Sequence, residues 1–210
     1  VPPIPGAEHA HVFRGPEDCA ALAAASGPAV VIGGGLLGLE AAYGLASRGC
    51  QTTVVHLMDR LMERQLDAGA AALLAPAMEA LGVNVLLNAN TQQITPTGVQ
   101  LEDRFLPAET VVISVGIRPQ TTLARAAGLQ VERGIVVDDA MVTSDPRVLA
   151  VGECAQHRGV VHGIVAPIHE QAKVVAATLC GEPASYTGSI PTAKLQAYTA
   201  VKCIRWQCAW

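Results

Sequence analysis

The fold is decided by the stretch Ala29-Val30-Val31-Ile32-Gly33-Gly34-Gly35-Leu36-Leu37-Gly38-Leu39-Glu40. A short apolar run rich in β-branched residues stops at three glycines, a helical pattern follows to about residue 48, and residues 52–55 form a second β-branched run. The order is strand, tight turn, helix, strand. Within it Gly33, Gly35 and Gly38 have the G-x-G-x-x-G spacing. The first glycine of this pattern permits the turn, the second lets the backbone approach a pyrophosphate, and the third lets helix and strand pack closely. The diphosphate is met by amides at the positive end of the helix. Gly33, Gly34, Gly35, Leu36, Leu37 and Gly38 are therefore the candidate nucleotide-binding loop.

Residues 29–46 are also apolar enough to suggest a membrane span. The glycine triplet and Glu40 oppose that reading, because glycine costs a helix about 1 kcal/mol per residue relative to alanine. No other run is long enough to cross a bilayer, and the start Val-Pro-Pro-Ile-Pro-Gly has no signal-peptide architecture. A cytoplasmic protein is expected. The formal charge of −4, with lysine only at 173, 194 and 202, gives no basic footprint for nucleic acid. The six cysteines are scattered, apart from a C-x4-C at Cys203 and Cys208 that reads as incidental, and the scatter suits a reducing compartment. His157, His162 and His169 have no cysteine or carboxylate partners at ligand spacing, so no metal site is expected.

Outward from the glycine loop, residues 67–81 repeat the helical pattern, Gly82 stops it, and 83–87 read as a third strand. Three parallel strands and two crossovers make an α/β, doubly wound sheet. Residues 91–107, broken at Pro96-Thr97-Gly98, read as an antiparallel meander, and 111–115 as a buried strand. Residues 135–137 and 148–151 are further short apolar runs, and 167–179 read as a helix closed by Gly181. The first 27 residues are proline-rich and then briefly helical over 17–25, as a connection entering a domain would be.

An acid about 20 positions past the glycine loop usually accepts the adenosine ribose hydroxyls. Here that position is His56, with Asp59 just beyond and with Arg60 and Arg64 able to neutralise a 2′-phosphate. NADH and NADPH are not separated by this pattern, and a histidine ending a strand beside solvated arginines fits equally well. Glu40, one turn into the helix, either faces the nicotinamide end of the site or decorates the helix surface. In the segment 143–153, Gly152 offers close backbone approach and Glu153 a carboxylate for a polyol, although strand ends often carry an acid for solubility alone. Tyr43 has no lysine four residues on, and no Ser/His/Asp order suggests a hydrolase.

Ile4-Pro5-Gly6, the Gly33 to Glu40 loop, Val115-Gly116-Ile117-Arg118-Pro119 and the segment 143–153 together resemble the pyridine-nucleotide and flavin reductase superfamily, in its motif order and over about the first 190 residues. The resemblance narrows at 54–67, at 152–159 and at Val165-Ala166-Pro167 to the large subunits of assimilatory NAD(P)H nitrite reductases, where a histidine at position 56 is expected. It implies an NAD(P)-binding domain inserted in an FAD-binding domain: a connecting segment at 1–27, the NAD(P) domain at 28–140, the C-terminal part of an incomplete FAD domain at 141–195, and an unassigned tail at 196–210. Gly33, Gly35 and Gly38 would cradle the pyrophosphate, and Val115 and Gly116 would line the NAD(P)H cleft. Glu153 beside Gly152 would bind the flavin ribityl chain, and Glu40 would act near the nicotinamide and flavin rings.

The implied chemistry is hydride transfer from nicotinamide to FAD, with single electrons passed to a downstream acceptor. In nitrite reductases that acceptor is an iron–sulfur and sirohaem region further along the polypeptide, and this sequence has no cluster of four cysteines to hold it. A reductase for rubredoxin, ferredoxin or an oxygenase shares most of the motifs, and a nucleotide-binding module without turnover is the third reading. No second glycine fingerprint precedes Val1 and no initiator methionine is present, so a fragment that binds NAD(P)H but holds FAD weakly or not at all is expected. Residues 196–210 match nothing in the family and are expected to lie outside the fold, as a junction or a shifted reading frame would.

Overall fold

The computed structural model describes residues 4–190 and Leu195. These fall into two compact units that divide between Gly116 and Ile117. The expectation for the 196–210 tail lies outside the described residues.

The first unit contains β1 (His11–Val12), α1 (Pro16–Ala23), β2 (Pro28–Ile32), α2 (Leu36–Ala46), β3 (Gln51–Val55), α3 (Ala68–Ala80), β4 (Val83–Leu86), β5 (Thr91–Thr95), β6 (Gly98–Leu101), β7 (Phe105–Pro107) and β8 (Thr110–Ile113). A five-stranded parallel sheet runs in the order β1-β8-β2-β3-β4. The doubly wound α/β reading holds, and residues 91–107 form the expected antiparallel meander β5-β6-β7.

Strand periodicity explains why the central strands read as continuous apolar runs: alternate side chains face opposite layers, and both layers are covered. Val30, Ile32, Val55, Val111 and Ile113 pack with Ile94, Val99 and Leu101 of the meander. The intervening Val31, Val54 and Val112 are fully buried, as are Leu39, Ala42 and Leu45 of α2, which packs on β2 and β3. Burying each such Val or Leu side chain contributes about 1.5–3 kcal/mol. Asp67 caps α3 by accepting from the Ala70 amide at 2.8 Å, so the helix starts where the sequence pattern placed it.

The second unit contains α4 (Thr122–Ala126), β9 (Ile135–Val137), β10 (Ala155–His157) and α5 (Val165–Leu179). β9 and β10 pair in parallel, and Val137, Met141, Ala150, Ala155 and Tyr186 form its apolar core. One of the short apolar runs forms no strand. Residues 148–151 make only an isolated antiparallel bridge, Val142 to Leu149, because Val148 and Val151 are exposed and the turn at Asp145 sends its carbonyl to the Val148 amide. The regular strand comes later, at Ala155–His157, where hydrogen bonding rather than apolar content fixes it. Gln156 Oε1 accepts from the Arg133 and Gly134 amides at 3.0 Å each, and buried His157 meets Asp139 Oδ1 at 2.8 Å through Nε2.

Candidate functional site

In the first unit, β8, β2 and β3 are adjacent parallel strands, and the expected site residues follow their carboxyl ends: Val115 and Gly116 after β8, Gly33 to Gly38 after β2, and His56 after β3. The chain leaves β2 for β3 on one side and meets β8 on the other, which is the switch point where open α/β sheets bind ligands.

The glycines of the loop differ in what they make possible. Gly33 has φ +120°, and a Cβ there would lie 2.1 Å from the Ser114 carbonyl oxygen. A Cβ on Gly38 would lie 2.0 Å from the Gly33 carbonyl oxygen, so this glycine lets α2 seat against the turn. On Gly34 it would meet Leu61 Cδ2 at 2.6 Å and His56 Cγ at 2.8 Å. Gly35 is the exception: its φ of −83° and ψ of −179° suit any residue, and a Cβ would meet nothing within 4 Å. Packing and backbone geometry give no reason for glycine at 35, whereas close approach of a diphosphate does.

Gly35 is also the N-cap of α2 and supplies no side-chain cap; the first helical bond runs from the Leu39 amide to the Gly35 carbonyl at 3.0 Å. The amides of Leu36, Leu37 and Gly38 therefore occupy the orphan first-turn positions, with the helix dipole aimed at the same space. Leu37 and Val115 are about half exposed beside it, and Gly116 is exposed with φ +90°.

His56 does not point at solvent. It is buried, its Nδ1 accepts from the Gly34 amide at 3.0 Å, and its Nε2 lies 3.1 Å from Glu63 Oε2. An accepting Nδ1 places the ring proton on Nε2, which donates to the Glu63 carboxylate. The Gly34 carbonyl accepts from the Met62 amide at 3.0 Å, and Met62 adopts φ +51° to make that contact. Both polar groups of Gly34 are thus held by the loop that follows β3, which is anchored by buried Leu61, Met62 and Leu66. Arg60 pairs with Asp59 at 3.0 Å, and Arg64, largely exposed, lies 4.0 Å from Glu63 Oε1. The sequence reading named His56, Arg60 and Arg64 but not Glu63, whose only sequence signal was a carboxylate within one loop of the strand end.

Glu40, half-buried on α2, lines a cleft of about 170 Å³ with residues of α1 that include Cys19, Leu22 and Ala23. Gly152 and Glu153 belong to the second unit. Gly152 has φ +95° with open space at its Cβ position, its amide donates to Oε1 of buried Gln171 at 3.2 Å, and Glu153 is exposed. The Gln171 Nε2 is buried without a hydrogen-bond partner among the described residues. Among these residues no group of three or more His, Cys, Asp or Glu is arranged to hold a metal ion, and no helix is long and apolar enough to cross a membrane.

The sequence profile described as Pyridine nucleotide-disulphide oxidoreductase matches residues 1–177. The chain belongs to this family. Within it, the chain is 47% identical over 205 residues to a nitrite reductase (NAD(P)H) of Bacillus subtilis, covering 92% of this chain and 26% of that protein. It is 45% identical over 207 residues to the assimilatory nitrate reductase electron transfer subunit of the same organism, covering 92% of this chain and 27% of that protein. A solved NAD-dependent persulfide reductase from A. fulgidus superposes with a TM-score of 0.85 at 30% identity, covering 91% of this chain and 39% of that one. The chain thus spans about a quarter of the length of the two curated relatives.

Proposed function

We propose that this chain is the NAD(P)H-binding, electron-input part of an FAD-containing reductase of the nitrite reductase type. The observation that carries the reading is Gly35: it stands at the uncapped start of α2, at the sheet's switch point, and its absent side chain leaves space that no atom of the described residues fills. The likeness to a nitrite reductase and to an assimilatory nitrate reductase electron transfer subunit supports the same direction. The reading takes the unit that ends at Gly116 as the nucleotide domain and the unit that starts at Ile117 as part of the flavin domain; the boundary at 140/141 expected from sequence would part β9 from its partner β10.

The residues present fit the two cofactors unequally. For NAD(P)H, the amides of residues 35–38 would hold the diphosphate, Val115 and Gly116 would flank the nicotinamide side, and Glu40 would act where nicotinamide and flavin rings meet. For FAD, Gly152 gives backbone access, Glu153 an exposed carboxylate for ribityl hydroxyls, and Gln171 a buried donor beside Gly152 with no partner among the described residues. FAD, when bound, accepts hydride from the nicotinamide and releases electrons singly. The protein's task is to align the donor and exclude water. The downstream acceptor is an iron–sulfur and sirohaem region of a longer polypeptide, and the cellular location is the cytoplasm. Anaerobic mixing of the chain with FAD and NADH, followed at the visible flavin band, tests the reading. Bleaching faster than with free FAD is expected once FAD is in large enough excess to fill a weak site; nucleotide binding with no faster flavin reduction even at that excess contradicts it.

A further inference from the structure

We propose that Glu63, held at the carboxyl end of β3 by His56, is the carboxylate that reads the adenosine ribose, and that the loop from 56 to 64 thereby selects NADH over NADPH. The proposal rests on the nucleotide-binding reading above and adds the choice between its two cofactors.

In a dinucleotide-binding sheet, the ribose beside the pyrophosphate loop is read by an acid at the end of the second strand. The residue in that place here is His56, and both of its ring nitrogens are committed inside the protein, Nδ1 to the Gly34 amide and Nε2 to Glu63. The ring therefore has no polar atom left for a ribose. What it does is carry a carboxylate to that place: Glu63 is seven positions further along the chain, yet its Oε2 lies 3.1 Å from the ring that ends β3. One Glu63 oxygen accepts from His56, and the side chain remains 23% exposed; on this proposal the other oxygen takes the ligand hydroxyl. A carboxylate accepts hydrogen bonds from vicinal hydroxyls and donates none, which suits a free 2′-OH and repels a 2′-phosphate.

Each of the two arginines that might have favoured the phosphate has a carboxylate next to it. Arg60 Nη1 lies 3.0 Å from Asp59 Oδ1, and its Nε is buried without a partner among the described residues, so that side of the guanidinium faces the interior. Arg64 Nε lies 4.0 Å from Glu63 Oε1. Two carboxylates against two guanidiniums leave the loop with no net positive charge. A 2′-phosphate entering beside Glu63 would be repelled by one carboxylate and would have to displace another from Arg60. At the effective dielectric of a protein surface this amounts to about tenfold or more in affinity.

His56 is a positioning residue on this account, because the same ring that holds Glu63 also fixes the Gly34 peptide. The two roles separate by substitution. Glu63→Gln keeps an oxygen to accept from His56 Nε2–H but removes the charge. His56→Phe removes both ring bonds and frees the Gly34 amide.

The test is calorimetric titration of the full chain and of both variants with NADH and with NADPH, each variant first checked by circular dichroism and thermal unfolding. The unsubstituted chain should bind NADH about tenfold or more tightly than NADPH. Glu63→Gln should lower that ratio about tenfold by weakening NADH and strengthening NADPH, while His56→Phe should weaken both. Equal affinity for the two nucleotides in the unsubstituted chain overturns the proposal without any variant. So does a folded Glu63→Gln protein with an unchanged ratio. Binding of neither nucleotide overturns the nucleotide-domain reading itself, and the proposal with it.

Discussion

Replacing Gly35 with valine should separate the nucleotide site from the fold. Its backbone, at φ −83° and ψ −179°, lies in the extended region that β-branched residues favour, and a Cβ would meet no atom of the described residues within 4 Å. Two small effects on stability oppose each other. An apolar residue is a poorer N-cap than glycine, by up to about 1 kcal/mol, and loss of glycine from the unfolded chain returns about 0.4–1 kcal/mol. The net change should stay within about 1 kcal/mol. Affinity should fall far more, because the valine side chain would fill the space through which the diphosphate is proposed to reach the first-turn amides. Charge-assisted hydrogen bonds contribute about 1.5–3 kcal/mol each, so losing two weakens NADH binding by roughly a hundredfold or more. The matched control is Gly38→Ala, whose Cβ would lie 2.0 Å from the Gly33 carbonyl oxygen and which should cost about 3 kcal/mol of stability or more. Urea unfolding and NADH calorimetry on both variants decide. A Gly35→Val protein that unfolds as early as Gly38→Ala, or that binds NADH with unchanged affinity, refutes the reasoning.

Other outcomes follow from the same structure. Gly34→Ala should destabilise the first unit by about 1–3 kcal/mol, because Leu61 and His56 must move from a Cβ that would sit within 3 Å of each; chemical denaturation measures it. Gln156→Leu should cost the second unit about 2–5 kcal/mol, since it strips the acceptor from the Arg133 and Gly134 amides; unfolding followed by hydrogen exchange at those two amides would show it. The Arg158 guanidinium and then His157 hold the Asp139 carboxyl down to about 2 from the usual 3.8. A depressed carboxylate adds stability that is fully present above the unfolded value and is lost as pH falls through the folded one. Asp139→Asn should therefore lower stability at pH above about 4 and make no difference below about 2. A stability difference that persists at the acid end would count against the pairing.

The strand–turn–helix–strand core of the first unit was legible in the sequence because each element there repeats its own period, and because glycine spacing has a direct steric meaning. The meander was legible for the same reason, as short alternating pieces broken by Pro96-Thr97-Gly98. Three kinds of feature were not. β1 is two residues long, too short to show any period. β10 reads Ala-Gln-His and is buried through hydrogen bonds that Gln156 and His157 make to distant residues, so hydropathy pointed to 148–151 instead. The inward turn of His56 depends on an amide 22 positions away, and the recruitment of Glu63 depends on that turn. At the site, sequence therefore indicated the loop proposed to meet the diphosphate, whereas the groups around the proposed ribose position emerged only once β3 and the glycine loop were placed side by side.

The central claim is that a dinucleotide lies across the carboxyl ends of β8, β2 and β3 with its diphosphate on the start of α2. Nitrogen–proton NMR of the isotope-labelled chain during NADH titration tests it most directly. The amides of Gly35, Leu36, Leu37 and Gly38 should shift most, saturating at one NADH per chain, with smaller shifts at Val115 and Gly116. Saturable binding that leaves these amides unmoved, or shifts concentrated in the meander, would contradict the account.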